Sequence, residues 1–296
     1  MNKILIPAAL VAVLLSSCAG VKVVRPQVDQ VKSAAFVSIT TNVEIPSTEA
    51  VKEKEKKKES IFSALKKATS TPDLPTLLPQ QQELESYTIK GLSDMLSSLS
   101  DIKVVPVESV LSNSEYQNVD DLNTGSELVD KMASNMAAQD NAAWGAPQGM
   151  KVISYDQVVP TSTNYSNGER TETRLLKKLG TLCGPLGVDA VAVAQLYLAY
   201  EPSTFTIIMN GDPADKGRGY ATPVVLVNLV LINKDGEAVL KSDQGWDRFT
   251  GEKIPMLNDG KVDFGDAKGK TLSEFKSVID AGVTAMKVKA RKALSK

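Results

Sequence analysis

Apolar residues recur along this chain with two different periods, and the switches between them mark out the elements. Ser33 to Thr40 reads Ser-Ala-Ala-Phe-Val-Ser-Ile-Thr, which predicts a first strand extending toward Val43 and ending at Pro46. Between 81 and 100 the apolar positions Leu84, Leu92, Met95, Leu96 and Leu99 fall on one helical face. Asp101 ends that helix, and Ile102 to Val105, closed by Pro106, predicts a short second strand. A strand, a helix and a strand in this order predict a crossover with the two strands parallel. Leu175, Leu179, Leu182, Cys183 and Leu186 again follow helical spacing, with Gly187 placed as a left-handed cap. Val188 to Tyr200 is apolar on both parities apart from Asp189 and Gln195, as a central strand buried on both faces requires. Pro223 to Ile232 is a further β-rich run. The Asn233-Lys234-Asp235-Gly236-Glu237 turn comes next, and Ala238 to about Phe249 returns as an antiparallel partner. A last stripe of Leu272, Phe275, Ile279, Val283, Met286, Ala290 and Leu294 predicts a closing helix. Thr271 and Glu274 read as its capping box. Lys287, Lys289, Arg291 and Lys292 suit the negative end of its dipole.

The intervening stretches are less regular. Residues 47–80 read as a charged, proline-punctuated loop: Lys52 to Glu59 is KEKEKKKE, a solvated run, and Pro72, Pro75 and Pro79 break the chain beyond it. Residues 107–170 read as an irregular insertion, with a modest helix around Leu128, Val129, Met132 and Met136 and a short strand at Lys151 to Tyr155. A polar segment of that length is a candidate for function. The expected fold class is α/β, a mixed sheet of about five strands with packed helices, in one domain over 31–296.

The first twenty residues have a different character. Lys3 precedes an uncharged apolar run from Ile4 to Leu15, too short for a stable bilayer span of about 20 residues. It ends Leu15-Ser16-Ser17-Cys18, which resembles the lipobox of bacterial lipoproteins. The resemblance implies that 1–17 is a signal peptide and that Cys18 is the lipidation site, carrying fatty-acyl chains of the palmitate type. It also implies that the membrane is a partner through that anchor. Each buried methylene adds about 0.8 kcal/mol, so several chains hold a protein durably. Ala19, rather than Asp, implies sorting to the periplasmic face of the outer membrane. Residues 18–30 then read as a tether.

Composition narrows the chemistry. Lys and Arg total 34 against 35 Asp and Glu, and loss of the leader removes Lys3, so the balance is slightly acidic. That excludes the strong positive field that a nucleic-acid partner calls for. There is no histidine, which removes His-based triads, zinc sites and proton shuttles. With Cys18 acylated, Cys183 is the one remaining thiol, and its place on the apolar helix face predicts a small core residue.

The short motifs read as structure. Ser63-Ala64-Leu65-Lys66 and Ser273-Glu274-Phe275-Lys276 match S-x-x-K but lack the partner motifs of Ser–Lys acyl transfer. Asp263-Phe264-Gly265 is a turn without the rest of a kinase signature, and Lys216-Gly217-Arg218-Gly219 precedes a strand, not a phosphate-binding helix. Asp259, Asp263 and Asp266 miss the calcium-loop spacing. No catalytic, cofactor-binding or metal-ligating set is expected. Trp144 and Trp246 are either anchors of a binding surface or packing residues.

Leu182-Cys183-Gly184-Pro185-Leu186-Gly187-Val188-Asp189-Ala190-Val191, with the strand after it and the Ile232 to Val239 turn, resembles the TolB amino-terminal-like and curli-secretion-lipoprotein-like α/β domains of envelope proteins. The resemblance spans the strand at 33–43, the helix at 81–100 and 172–249, and leaves out 107–170. It implies a non-enzymatic envelope lipoprotein that binds protein partners in assembly or secretion, singly or as a homo-oligomer. The alternatives are a ligand- or lipid-binding lipoprotein with an apolar pocket near 201–221, or an anchored wall-modifying hydrolase using paired carboxylates.

Overall fold

The computed structural model describes residues 21–51, 77–119, 144–153, 155–158, 168–202, 219–242, 247–248, 253–257, 260–266 and 268–295. The leader, Cys18, the 52–59 charge run, Ser63 to Lys66, the 128–136 segment, Lys216 to Arg218, Trp246 and Asp259 lie outside the described residues, as does most of 201–221.

The α/β class is as expected. Six strands lie in the order β1-β7-β6-β5-β2-β3, where β1 is Val21–Val23, β2 Ser33–Asn42, β3 Lys103–Val104, β5 Ala190–Pro202, β6 Tyr220–Asn233 and β7 Ala238–Ser242. Three two-residue strands pair beside this path: β4 (Trp144–Gly145) on β2, and β8 (Asp247–Arg248) and β9 (Ile254–Pro255) on β6. The sheet is mixed. β2 runs parallel to β3 and β5, while β5, β6, β7 and β1 are successively antiparallel.

Two apolar layers cover it. On one face lie α1 (Pro79–Ser100) and α7 (Lys270–Leu294). Leu84, Leu92, Met95 and Leu96 of α1 and Phe275, Ile279, Val283 and Met286 of α7 pack there against Phe36, Ile39, Leu196 and Leu229 of the sheet. On the other face lie α2 (Val107–Leu111), α3 (Ser114–Gln117), α4 (Tyr155–Val158), α5 (Gly168–Thr181) and α6 (Cys183–Leu186). Val110, Tyr116, Tyr155, Leu179 and Cys183 pack there against Val37, Val191, Val193, Val230 and Ile232. Strands buried from both sides need apolar residues at both parities, which is why β5 reads as a nearly unbroken run.

Local chemistry sets the ends. Pro79 begins α1, where its missing N–H costs nothing, and the Gln81 side-chain oxygen accepts from the Leu78 N–H at 2.9 Å. Asp101 closes the helix in the left-handed region (φ 53°). The Asn233 to Glu237 turn forms around the Asn233 Oδ1, which accepts from the N–H groups of Asp235 and Glu237.

Four expectations are corrected. Residues 21–30 are not a tether: Val21 and Val23 pack against the first core layer, β1 pairs with β7, and Val28 in the turn at Gln27–Gln30 is buried. This edge strand takes the sheet beyond the five strands expected. The described parts of 107–170, expected as an irregular insertion, hold the helices α2, α3 and α4 and pack into the second core layer. Two of their aromatic side chains, Tyr116 and Tyr155, are fully buried and donate to Val37 O and Ser242 O at 2.8 and 2.9 Å. Lys151 to Tyr155 is not a strand: 151–153 runs irregularly beside β2, and Tyr155 opens a helical turn. Finally, Thr271 is not the cap of α7. The Asp266 carboxylate accepts from the N–H groups of Lys268, Lys270 and Thr271, and the Thr271 hydroxyl donates to Asp263 O.

Candidate functional site

β2 ends at Asn42 against the middle of its parallel neighbour β5, with Thr41 opposite Leu196 while β5 runs on to Pro202, and the end of a parallel strand is a position where open α/β sheets take ligands. Polar side chains enter both faces of the sheet at this rim, where β2 stops. Because side chains alternate along a strand, Ile39 and Thr41 face α1 while Thr40 faces the other layer.

On the α1 face, Glu85 is fully buried with Thr41 opposite it. Neither Glu85 oxygen nor the Thr41 hydroxyl completes a hydrogen bond of regular geometry. Burial pushes the Glu85 carboxyl up from 4.5 to about 8, with the Thr41 hydroxyl opposing only part of the rise. One turn earlier, Gln81 donates to Asn42 O and Val43 O at 2.9 and 3.1 Å, fixing the chain as it leaves β2. Asn42 ties that end to β5, donating to Leu198 O and accepting from the Leu198 N–H, both at 2.7 Å. Gly145 stands opposite Thr41 in β4, and a Cβ there would collide with the Leu77 side chain, so Leu77 closes this corner.

On the other face, Thr40, Gln195 and Asn228 stand in register across three strands. The buried Asn228 side-chain amide donates to the buried Gln195 Oε1 at 2.9 Å, and the buried Thr40 hydroxyl finds no partner among the described residues. Beyond this row Trp144 meets Tyr197 edge-on, with ring centroids 5.6 Å apart, both half-buried. Trp144 is thus part of the rim, beside Asn42 in the β4 ladder. Below the row the same face is apolar, with Val193 and Val230.

The other residues singled out by sequence have structural duties. Asp189 accepts from the Lys32 and Ser33 N–H groups and the Ser33 hydroxyl, each at 2.9 Å, and clasps the start of β2. Those bonds, the Lys32 N–H first, hold its carboxyl below the usual range. Lys276 of the second S-x-x-K pairs with Glu83 at 2.6 Å and lies over the Tyr87 ring, so its ammonium is not placed to activate Ser273. Asp263 Oδ1 accepts from the Gly265 N–H, making the Asp-Phe-Gly segment a turn. Cys183 is buried, and burial first, then Asp189, pushes its thiol up to about 11. Among the described residues no three Cys, Asp or Glu side chains converge as metal ligands. No helix among them is long and apolar enough to cross a membrane.

Glu85 escaped sequence reasoning, although a signal existed. It stands seven and eleven residues before Leu92 and Leu96, inside the apolar stripe of α1. Asn228 had no such signal, since a single amide in a β-rich run reads as solvent-facing.

No family model, curated protein or solved structure matches this chain.

Proposed function

We propose that the protein is a lipid-anchored envelope protein that works by binding a protein partner in envelope assembly or secretion. The anchor reading rests on Leu15 to Cys18, and the outer-membrane, periplasm-facing location rests on Ala19. The observation that carries the binding reading is the rim where β2 ends beside β5. There the Trp144–Tyr197 pair adjoins the amides of Gln195 and Asn228. The residues that dominate protein contacts are enriched in Trp and Tyr, and the buried Gln195–Asn228 pair holds in place the strands that carry this aromatic pair. This is recognition chemistry, in keeping with the envelope-domain resemblance of 182–191.

The test is a photo-crosslinking phenylalanine analogue placed at Tyr197 in cells, with Thr181 on α5 as reference. A discrete adduct with one envelope protein from position 197, lost in Cys18→Ala, supports the reading. Adducts of the same pattern from both positions, or none from 197, contradict it.

A second reading, a ligand-carrying lipoprotein, is favoured by the buried Thr40 hydroxyl beside the Gln195–Asn228 pair, which a polar ligand entering on that face would satisfy. A small molecule seen by native mass spectrometry, and lost in Thr40→Val, would support it over the first.

A further inference from the structure

Resting on the acylated Cys18 of the proposed function, we infer that the edge formed by β1 and the second half of α7 lies against the membrane, its basic side chains on anionic phospholipid headgroups.

Val21 is already in the sheet, opposite Ser242 of β7, so only Ala19 and Gly20 separate the anchor from the folded body. Three Cα steps of about 3.8 Å cap that reach at about 11 Å. The body is therefore held against the bilayer, and the surface around Val21 has to face it.

That surface is built by α7, which packs on β1. The Ser242 hydroxyl donates to Met286 Sδ at 3.2 Å, so the pairing that places Val21 also places the middle of α7 beside the anchor. Immediately after Met286 come Lys287, Val288, Lys289, Arg291 and Lys292, and from Ala281 to Ser295 there is no acidic residue. Val288 is 61% exposed and Val24, one residue beyond β1, is 43% exposed, both high for an apolar side chain. On the opposite face of the same edge Lys22 stands directly across from Lys241.

The helix dipole accounts for less of this charge than the sequence implies. Only Arg291 and Lys292 lie in the last turn, and the Arg25 guanidinium, which also pairs with Asp29, already donates to Leu294 O. Lys287 and Lys289 sit too far back for the dipole, which acts within the last turn. The chain as a whole is slightly acidic, so this is a local basic stretch. Basic side chains with interspersed apolar ones, held at a bilayer surface, match an anionic headgroup layer.

The experiment uses the full-length acylated protein in vesicles of phosphatidylcholine alone or mixed with phosphatidylglycerol. An environment-sensitive fluorophore is placed at Val288→Cys or, as reference, at Thr181→Cys on the opposite layer. The expected result is a blue shift at 288 alone, larger with phosphatidylglycerol, weakened by salt and lost in Lys287→Glu/Lys289→Glu. Identical emission at 288 and 181, on a protein whose intact mass shows acyl chains at Cys18, overturns the docking and leaves the anchor standing. A shift at 288 that is no larger with phosphatidylglycerol and is unmoved by salt overturns the contact with anionic headgroups. An unacylated Cys18 overturns docking and anchor together.

Discussion

Replacing Glu85 with Gln isolates the cost of burying its carboxyl. In the unfolded chain the group titrates near its ordinary value of 4.5, and in the folded protein near 8. Below pH 4.5 both states carry the proton and the group costs nothing as a charge. Between those values the folded state holds a proton that the unfolded state has released, so stability falls by roughly 1.4 kcal/mol per pH unit. By pH 8 the accumulated loss is about 4 kcal/mol, a large part of a typical folding free energy of about 5–15 kcal/mol. The amide has nearly the same shape and cannot ionise. In the non-acylated Cys18→Ser background, urea unfolding from pH 5 to pH 9 should give wild type and Glu85→Gln similar stability at pH 5. The variant should then gain by up to about 4 kcal/mol at pH 8, less any difference in how the amide and the carboxylic acid meet Thr41. The comparison cancels every other titrating group. Parallel curves across the range would refute the reasoning, since they would mean that Glu85 is solvated or ionised in the folded protein.

Gly236→Ala and Gly187→Ala separate strain from collision. Both glycines have positive φ, but a Cβ at 236 would lie 2.6 Å from Lys177 Cα, whereas 187 faces open space. Thermal unfolding should show a loss of about 1 kcal/mol at 187, from conformation alone, and a markedly larger one at 236. Equal losses would remove the close approach of α5 to the turn. Native Cys183, raised from 9.0 to about 11 by burial, should react with iodoacetamide at pH 8 at least about 100-fold more slowly than in urea. Reaction at matching rates would mean that the thiol is exposed. The lowered carboxyl of Asp189 stabilises the fold above its ordinary range, and that contribution disappears as pH falls through the folded value. Asp189→Asn should therefore be less stable than wild type at pH 7 and converge with it at pH 2; a constant gap would contradict the clasp on Ser33.

How much of the fold the pattern of residues reveals depends on the range of the interactions. The burial of β5, the cap at Gly187, the turn at Asn233 to Glu237 and the stripe of α7 depend on neighbours within a few residues, and each is legible. The two exceptions in the β5 run, Asp189 and Gln195, are visible as exceptions, but their partners Ser33 and Asn228 lie 156 and 33 residues away and cannot be read from spacing. Residues 21–23 look like a leash because three residues carry too little pattern to distinguish a strand from a linker. Only pairing with β7 settles the difference. The cap of α7 is a case of competing local chemistry: Thr271 and Glu274 have the right spacing, but the Asp266 carboxylate, four to five residues upstream, takes the N–H groups of Lys270 and Thr271, so the helix begins before Thr271. The rim was legible in part. Trp144 stood out by type and Gln195 by context, while Thr40 and Thr41 are ordinary strand residues whose orphaned hydroxyls emerge only from packing.

Native mass spectrometry after extraction from membranes in mild detergent distinguishes an acyl-anchored protein that acts by binding another protein from the alternatives. The expected result is a chain beginning at Cys18 with acyl chains attached, inside a complex that contains a second envelope protein or further copies of itself. An unacylated chain, or an acylated chain that is always a lone monomer, would contradict it.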